Sequence, residues 1–417
     1  ARRQENFANW SLSDQGIRTG SVLNAVARSA NGGLWASIAG TRLYHFNAKG
    51  RVDRQLSVPE GINFVHSDAQ GKLWIGAGQT LYYLSGMQSN VAKWKKFDCD
   101  FLQSLVDDGQ GHLYLGTFGR GVTCVDTRTG AMRLFSMFDK DRGRGKLCNN
   151  WMLAMLYDSH HLLWIATSAG VSCYDPAKDS FKPYGWHNLL DGYACLSLAE
   201  DRHGNLLIGT DRGLFRFDRR RNKVSAFPGR GELGDKSIGA IVAQGNGDVW
   251  CSTSMGIWHY RAGGQWIGHI NDNGLREREY NTCNAILPDG RIVFGYGDGL
   301  VVFAPNNIRR NVKRPADIML SEFLVGGVPV NSTSVSNGQP ITDEAVSLSK
   351  HFELSYIDNS FTMEFANFDF DDAANLTLEY SLNGYAWTRT DRGQNAITFT
   401  HLQPGTYKIA VRAMENG

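Results

Sequence analysis

Leu206 to Asp218 reads "LLIGTDRGLFRFD", two apolar arms around a polar turn, and by itself it describes one β-hairpin. The same punctuation recurs in "LWASIAGTRLYHFN" from Leu34, "LWIGAGQTLYYLS" from Leu73, "LYLGTFGRGVTCVD" from Leu113, "LWIATSAGVSCYD" from Leu163, "VWCSTSMGIWHY" from Val249 and "IVFGYGDGLVVF" from Ile292. Each copy carries a bulky residue at its second place: Trp35, Trp74, Tyr114, Trp164, Leu207, Trp250 and Val293. The intervals between those places are 39, 40, 50, 43, 43 and 43 residues. A period near 40 holding about four strand-sized segments is the signature of a propeller blade.

The flanks repeat as well. A strand of small and apolar residues precedes each hairpin, as in "ACLSLAEDRHG" (194–204), "FLQSLVDDGQG" (101–111) and "AILPDG" (285–290). An outer strand such as "AMRLFSMF" or "KVSAFPG" follows it, so each repeat contributes four antiparallel strands. A Trp at the second place can be buried only against a neighbouring sheet, and seven repeats closed in a ring supply one for every blade. Gly121, Gly170, Gly213, Gly256 and Gly299 stand where the hairpin turn calls for positive φ, whereas the first two repeats have Arg42 and Thr80 there and turn differently. After "LVVFAPNNI" no outer strand follows, but the chain starts with "ENFANWSL", so residues 5–12 are expected to complete the seventh blade.

From about Pro315 the repeat gives way to alternating segments with turn signals every 8 to 12 residues, the pattern of an immunoglobulin or fibronectin-like sandwich. The expected organisation is all-β: a seven-bladed propeller over residues 1–312 and a β-sandwich over 313–417. Tyr407 in "LQPGTYKIAVRA" occupies the place of a tyrosine whose hydroxyl bonds back to a loop.

Composition narrows the function. The 417 residues include 42% hydrophobic side chains and 47 glycines, a folded and turn-rich chain. Its 43 basic and 41 acidic residues nearly cancel without clustering, so nucleic acid is not an expected partner. "RRRNK" (219–223) falls between two strands and reads as a solvated turn. No apolar stretch approaches the 18 residues of a membrane span, and no signal peptide is visible. The seven cysteines show no zinc spacing and read as small apolar side chains. His160 and His161 are adjacent in a turn, and the Asp-Gly pairs of "EDRHGN", "DDGQG" and "SDAQG" repeat as turn formers, so neither a metal nor another cofactor is expected.

Taken in order, the "LWIGT…GL" hairpins, "FGYGDGLVVFAP" and "LEYSLNGYAW…LQPGTYKIAVRA" resemble the periplasmic sensor region of Bacteroidetes hybrid two-component systems, a regulator propeller followed by a triple-tyrosine domain. The resemblance covers essentially the whole chain. It implies an oligosaccharide released from a glycan as ligand and a homodimeric receptor. A membrane helix and histidine kinase, receiver and DNA-binding modules would lie outside this sequence, which is then an excised fragment with a truncated sandwich. No catalysis is expected of the fragment itself. Two alternatives stay open, a propeller glycoside hydrolase or lyase using Asp211, Asp298, Glu277 or Glu279, and a protein-binding scaffold.

Antiparallel alternation places the turns between second and third strands, and the connections between blades, on one face. That face collects the long loops 138–151, 184–193, 229–237 and 271–281. Their aromatic and basic residues, with a turn arginine, make the candidate ligand site: Arg142, Arg144, Trp151, Trp186, His187, Arg212, Arg278, Tyr280 and Tyr296. Rings stack on the apolar face of a sugar, and guanidinium groups hold carboxylate or sulfate, which points to an acidic glycan.

Overall fold

The computed structural model describes residues 7–415 except 19–21, 39, 141–144, 183–189, 191, 230–232, 265, 270–274, 276–278, 309–314, 317, 368–375 and 392. The architecture is all-β, and the chain separates into two compact units, Ala1–Ile308 and Arg309–Gly417.

The first unit contains, among the described residues, seven four-stranded antiparallel sheets. Six are continuous in sequence, spanning 23–57, 62–96, 102–135, 152–181, 195–226 and 238–269. The seventh takes three strands from 280–303 and its outer strand from Ala8–Ser11, which pairs antiparallel with Gly299–Val302. First strands of consecutive sheets pack side by side, and the first strand of sheet seven packs on that of sheet one. The circle is closed.

Each junction between neighbouring sheets has its own apolar core. Trp35 lies in the core shared by sheets one and two, Trp74 in that of two and three, Tyr114 in that of three and four. Trp164, Leu207, Trp250 and Val293 continue the series, the last in the core joining sheets seven and one. The second-place residue of every hairpin is thus buried against the following sheet, which is why a single repeat could not fold alone.

Two recurring devices hold the geometry. Each first strand has a β-bulge near its start, for instance between Leu23 and Ala25 and between Cys195 and Ser197. There, side chains reach the adjacent sheet: Asn24 Nδ2 donates to Ile62 O at 2.7 Å, and Asn281 Nδ2 to Leu23 O at 2.7 Å. The second device is the glycine of "LLIGT". A Cβ at Gly209 would stand 2.2 Å from Ser197 Oγ and 2.8 Å from Ile238 Cγ2, so the glycine lets the bulge and the next sheet close in. Gly209→Val is expected to destabilise the first unit by about 1–3 kcal/mol through overpacking, read as a lower urea midpoint with unchanged m.

The turn glycines behave as expected at Gly121, Gly170, Gly213 and Gly256, with φ between 97° and 115°. Gly299 departs from the expectation. Its φ is not positive; the left-handed residue is Gly297, two positions earlier, and a Cβ at Gly299 would meet Tyr296 Oη at 2.8 Å. Gly40 and Gly78 play the same earlier role in the first two hairpins.

The aspartates between first and second strands are turn formers. Oδ1 of Asp68, Asp108, Asp158 and Asp201 each accepts backbone N–H groups two and four residues on. Oδ2 then holds a side chain of the second strand, accepting Trp74 Nε1 at 2.9 Å and Trp164 Nε1 at 2.6 Å. The run 219–223 is not a solvated turn throughout: Arg219 Nη2 donates to the buried Asp158 carboxylate of the preceding sheet at 2.7 Å.

In sheet six His259 stacks on Trp250 at 3.8 Å, with its Nε2 3.2 Å from Asp248 Oδ2. Burial, outweighing the neighbouring carboxylate, pushes the His259 imidazole down to about 4. The unfolded chain therefore takes up this proton first as pH falls. Stability should drop between about pH 6.5 and pH 4, by on the order of 3 kcal/mol in total. His259→Phe should flatten that slope in urea titrations run at several pH values; an unaltered slope would count against it.

Among its described residues the second unit holds two four-stranded sheets and a two-stranded one, Val335–Ser336 with Gln339–Pro340. One four-stranded sheet orders Pro315–Ala316, Ile409–Glu415, Leu376–Leu382 and Thr388–Arg389; the other Val328–Pro329, Ile318–Val325, Phe361–Asn367 and Ala396–Phe399. Phe365, Ile397 and Phe399 of one sheet and Leu378 and Ala413 of the other share a core. Tyr407 Oη donates to Gln403 O at 2.8 Å, the expected bond back to its loop.

Candidate functional site

Backbone hydrogen bonds place the turns between second and third strands beside the connections that enter each sheet. Phe118 N donates to Phe101 O at 3.1 Å, Ser168 N to Trp151 O at 3.0 Å, and Asp211 N to Ala194 O at 3.0 Å. Leu23 N donates to Gly297 O at 2.6 Å, and Ile62 N to Gly40 O at 2.8 Å. One face of the ring therefore carries both loop classes.

Arg142, Arg144, Trp186, His187 and Arg278 lie outside the described residues. Of the remaining four, Trp151 is 48% exposed and forms a bridge with Phe118. Arg212 lies over the Tyr193 ring at 4.8 Å, with Asp211 Oδ2 at 3.7 Å. Tyr280 and Tyr296 differ from the expectation of exposed stacking rings. Both are buried, packed edge to face at 6.2 Å in the core between sheets six and seven, because the strands that carry them turn them inward.

To Trp151 the structure adds Phe101 and Phe118, which the sequence reading missed. Phe101, Phe118 and Trp151 stack in a column, with centroids 4.8 Å and 6.0 Å apart and interplanar angles of 12° and 27°. Beside it Arg120 pairs with Asp98 at 3.0 Å, and Asp100 is exposed. The signal was present in sequence: Phe101 and Trp151 each stand immediately before a first strand, one repeat apart.

Ligand atoms of Asp158, His160 and Glu200 lie within 4.8 Å of one another. Asp158 already accepts from two backbone N–H groups, Trp164 and Arg219, and Glu200 accepts from Ser159, so this trio reads as a structural network. All seven cysteines are free. Burial pushes the Cys124 thiol up to about 11 and that of Cys195 up to about 12, which leaves both un-ionised at neutral pH.

No protein-family model matches the chain. Among curated proteins it is similar to histidine kinase P4 of Formosa agariphila, 21% identical over 445 residues, covering 99% of this chain and 31% of that protein. Among solved structures it matches the extracellular domain of a protein assigned as a hybrid two-component system in B. thetaiotaomicron, with a TM-score of 0.81 and 20% identity over 99% of this chain and 56% of the other. A second extracellular domain from that organism, assigned as a one-component system, gives a TM-score of 0.60 and 17% identity over 99% and 57%. The chain thus spans less than a third of the curated relative and little more than half of each solved domain. Both of these neighbours are extracellular domains. The chain has the fold of the extracellular domains of Bacteroides two-component systems, the resemblance that its ordered repeats and second unit carry.

Proposed function

We propose that this chain is the ligand-binding part of a periplasmic sensor, a seven-bladed propeller over residues 1–312 followed by a β-sandwich over 313–417. It binds a glycan-derived oligosaccharide on the loop face without altering it, and passes the event to a kinase elsewhere in a homodimeric, membrane-anchored receptor. The observation that carries this reading is the match along 99% of the chain to an extracellular domain of a two-component system. The loop face supports it, because exposed Trp151 and Arg212 stand there on rigid sheet ends. In sequence, Arg142, Arg144, Trp186, His187 and Arg278 fall in the connections 138–151, 184–193 and 271–281, and arginine guanidinium groups suit an acidic unit of the glycan.

The test is calorimetric titration of acidic and neutral oligosaccharides into the wild type and a Trp151→Ala, Arg212→Ala double variant. Binding that is lost in the variant supports the loop-face site. Binding that persists at full strength places the ligand elsewhere.

A further inference from the structure

The aromatic column stops one ring short. Around the loop face the equivalent places run Phe101, Phe118, Trp151, Ser168: residues before a first strand alternate with residues opening the turn of the same sheet, tied by the Phe118 N to Phe101 O and Ser168 N to Trp151 O bonds. Phe101, Phe118 and Trp151 are stacked in that order. Where the next ring would continue the stack, the chain has a serine. Trp151 is the terminal ring and the most exposed of the column, at 48% against 36% for Phe118.

We infer that Trp151 and the place above Ser168 form a subsite for one uncharged sugar ring, which completes the column. This rests on the saccharide reading above and specifies it. The Trp151 backbone is fixed before any ligand arrives, its N–H donating to Asn149 Oδ1 at 2.8 Å and a β-bridge joining it to Phe118, and the indole stacks on the Phe118 ring. Little conformational freedom remains to be lost on binding. An apolar C–H face packs on the ring, and the hydroxyl edge meets Ser168 Oγ, which lies 3.3 Å from Asn149 Oδ1, and the Asn149 amide. On the other side, Gly119 keeps the floor low. With φ at 91°, it is a position where a Cβ would stand 3.2 Å from Asp100 Oδ2 and 3.6 Å from Trp151 Nε1. An exposed carboxylate beside the indole N–H accepts sugar hydroxyls and repels carboxylate or sulfate. Any acidic unit of the glycan is therefore bound away from Trp151.

The test compares wild type, Trp151→Ala and Ser168→Phe. Ser168→Phe fills the place beside Trp151 with a ring of the protein's own and at the same time removes the Ser168 hydroxyl. The probes are cellotetraose, xylotetraose and mannotetraose as neutral ligands, with tetragalacturonate as the anionic one, followed by calorimetry and by saturation-transfer NMR of the sugar protons. Thermal unfolding of each variant checks that the fold is kept. For a neutral probe that binds wild type, both variants should weaken binding by about tenfold or more, equivalent to about 1.4 kcal/mol. The sugar C–H protons should receive saturation from aromatic protons in wild type alone. Binding that survives both substitutions overturns the subsite while leaving the saccharide reading intact. Binding of tetragalacturonate alone, abolished by Trp151→Ala, overturns the uncharged specificity. If no saccharide binds wild type, the saccharide reading itself fails and the subsite falls with it.

Discussion

Deleting residues 1–12 is expected to abolish the cooperative unfolding of the first unit. The deleted strand supplies the outer edge of sheet seven, but its energetic weight comes from three buried side chains, Phe7, Trp10 and Leu12, at 0%, 6% and 0% exposure. Phe7 packs on Phe303 at 5.0 Å and on His269 at 5.7 Å, tying sheet seven to sheet six. Trp10 stacks on Phe46 at 6.2 Å and lies in the core that joins sheet seven to sheet one. One strand therefore secures both junctions of the last sheet. Truncating a buried Phe or Trp to Ala costs about 3–5 kcal/mol. Loss of two, with their edge left unpaired, approaches the whole of a typical 5–15 kcal/mol stability. Urea unfolding followed by circular dichroism should change from one sharp transition to a broad one at lower denaturant. An unchanged transition would mean that the other six sheets hold the ring without this strand.

Asp158→Ala is expected to cost about 3–5 kcal/mol, the loss that follows when one partner of a buried ion pair is removed. Although burial opposes ionisation, hydrogen bonds from Leu162 N, Trp164 Nε1 and Arg219 hold the Asp158 carboxyl below its ordinary value. The substitution would strand the Arg219 guanidinium, whose Nε also donates to Gly204 O at 2.7 Å, and the indole N–H of Trp164, which is 0% exposed. Because this carboxyl titrates lower in the folded state, its contribution is present above the ordinary carboxylate range and fades as pH falls through it. Adding Arg219→Met to Asp158→Ala should recover part of the loss, and a double-mutant cycle in urea measures how much. Strict additivity would show that the pair does not couple sheets four and five.

The repeat, the four strands per sheet and the burial of each second-place residue were legible because period and hydrophobic alternation are local signals. The Asp turns were legible for the same reason. Arg219 was not, since the carboxylate it pairs with lies 61 residues away on another sheet. At Gly299 the apolar arms of the hairpin do not reveal which of two nearby glycines takes the left-handed place, and it is Gly297 that does. At the candidate site, loop membership was readable but side-chain direction was not. Tyr280 and Tyr296 sit at strand ends, where one register step decides between solvent and core, and both face the core. Phe101 and Phe118 each look like an ordinary strand-end residue in the sequence, and only the fold stacks them under Trp151.

The proposed function requires that the chain bind a saccharide and leave it unchanged. The most direct measurement titrates oligosaccharides into the purified protein by calorimetry, then recovers each bound sugar and counts its reducing ends. A sensor should show saturable binding of at least one oligosaccharide, with chain length and reducing ends the same before and after. New reducing ends would identify an enzyme, and the absence of binding to any saccharide, with capture of a protein instead, would identify a scaffold; either result rules out a saccharide sensor.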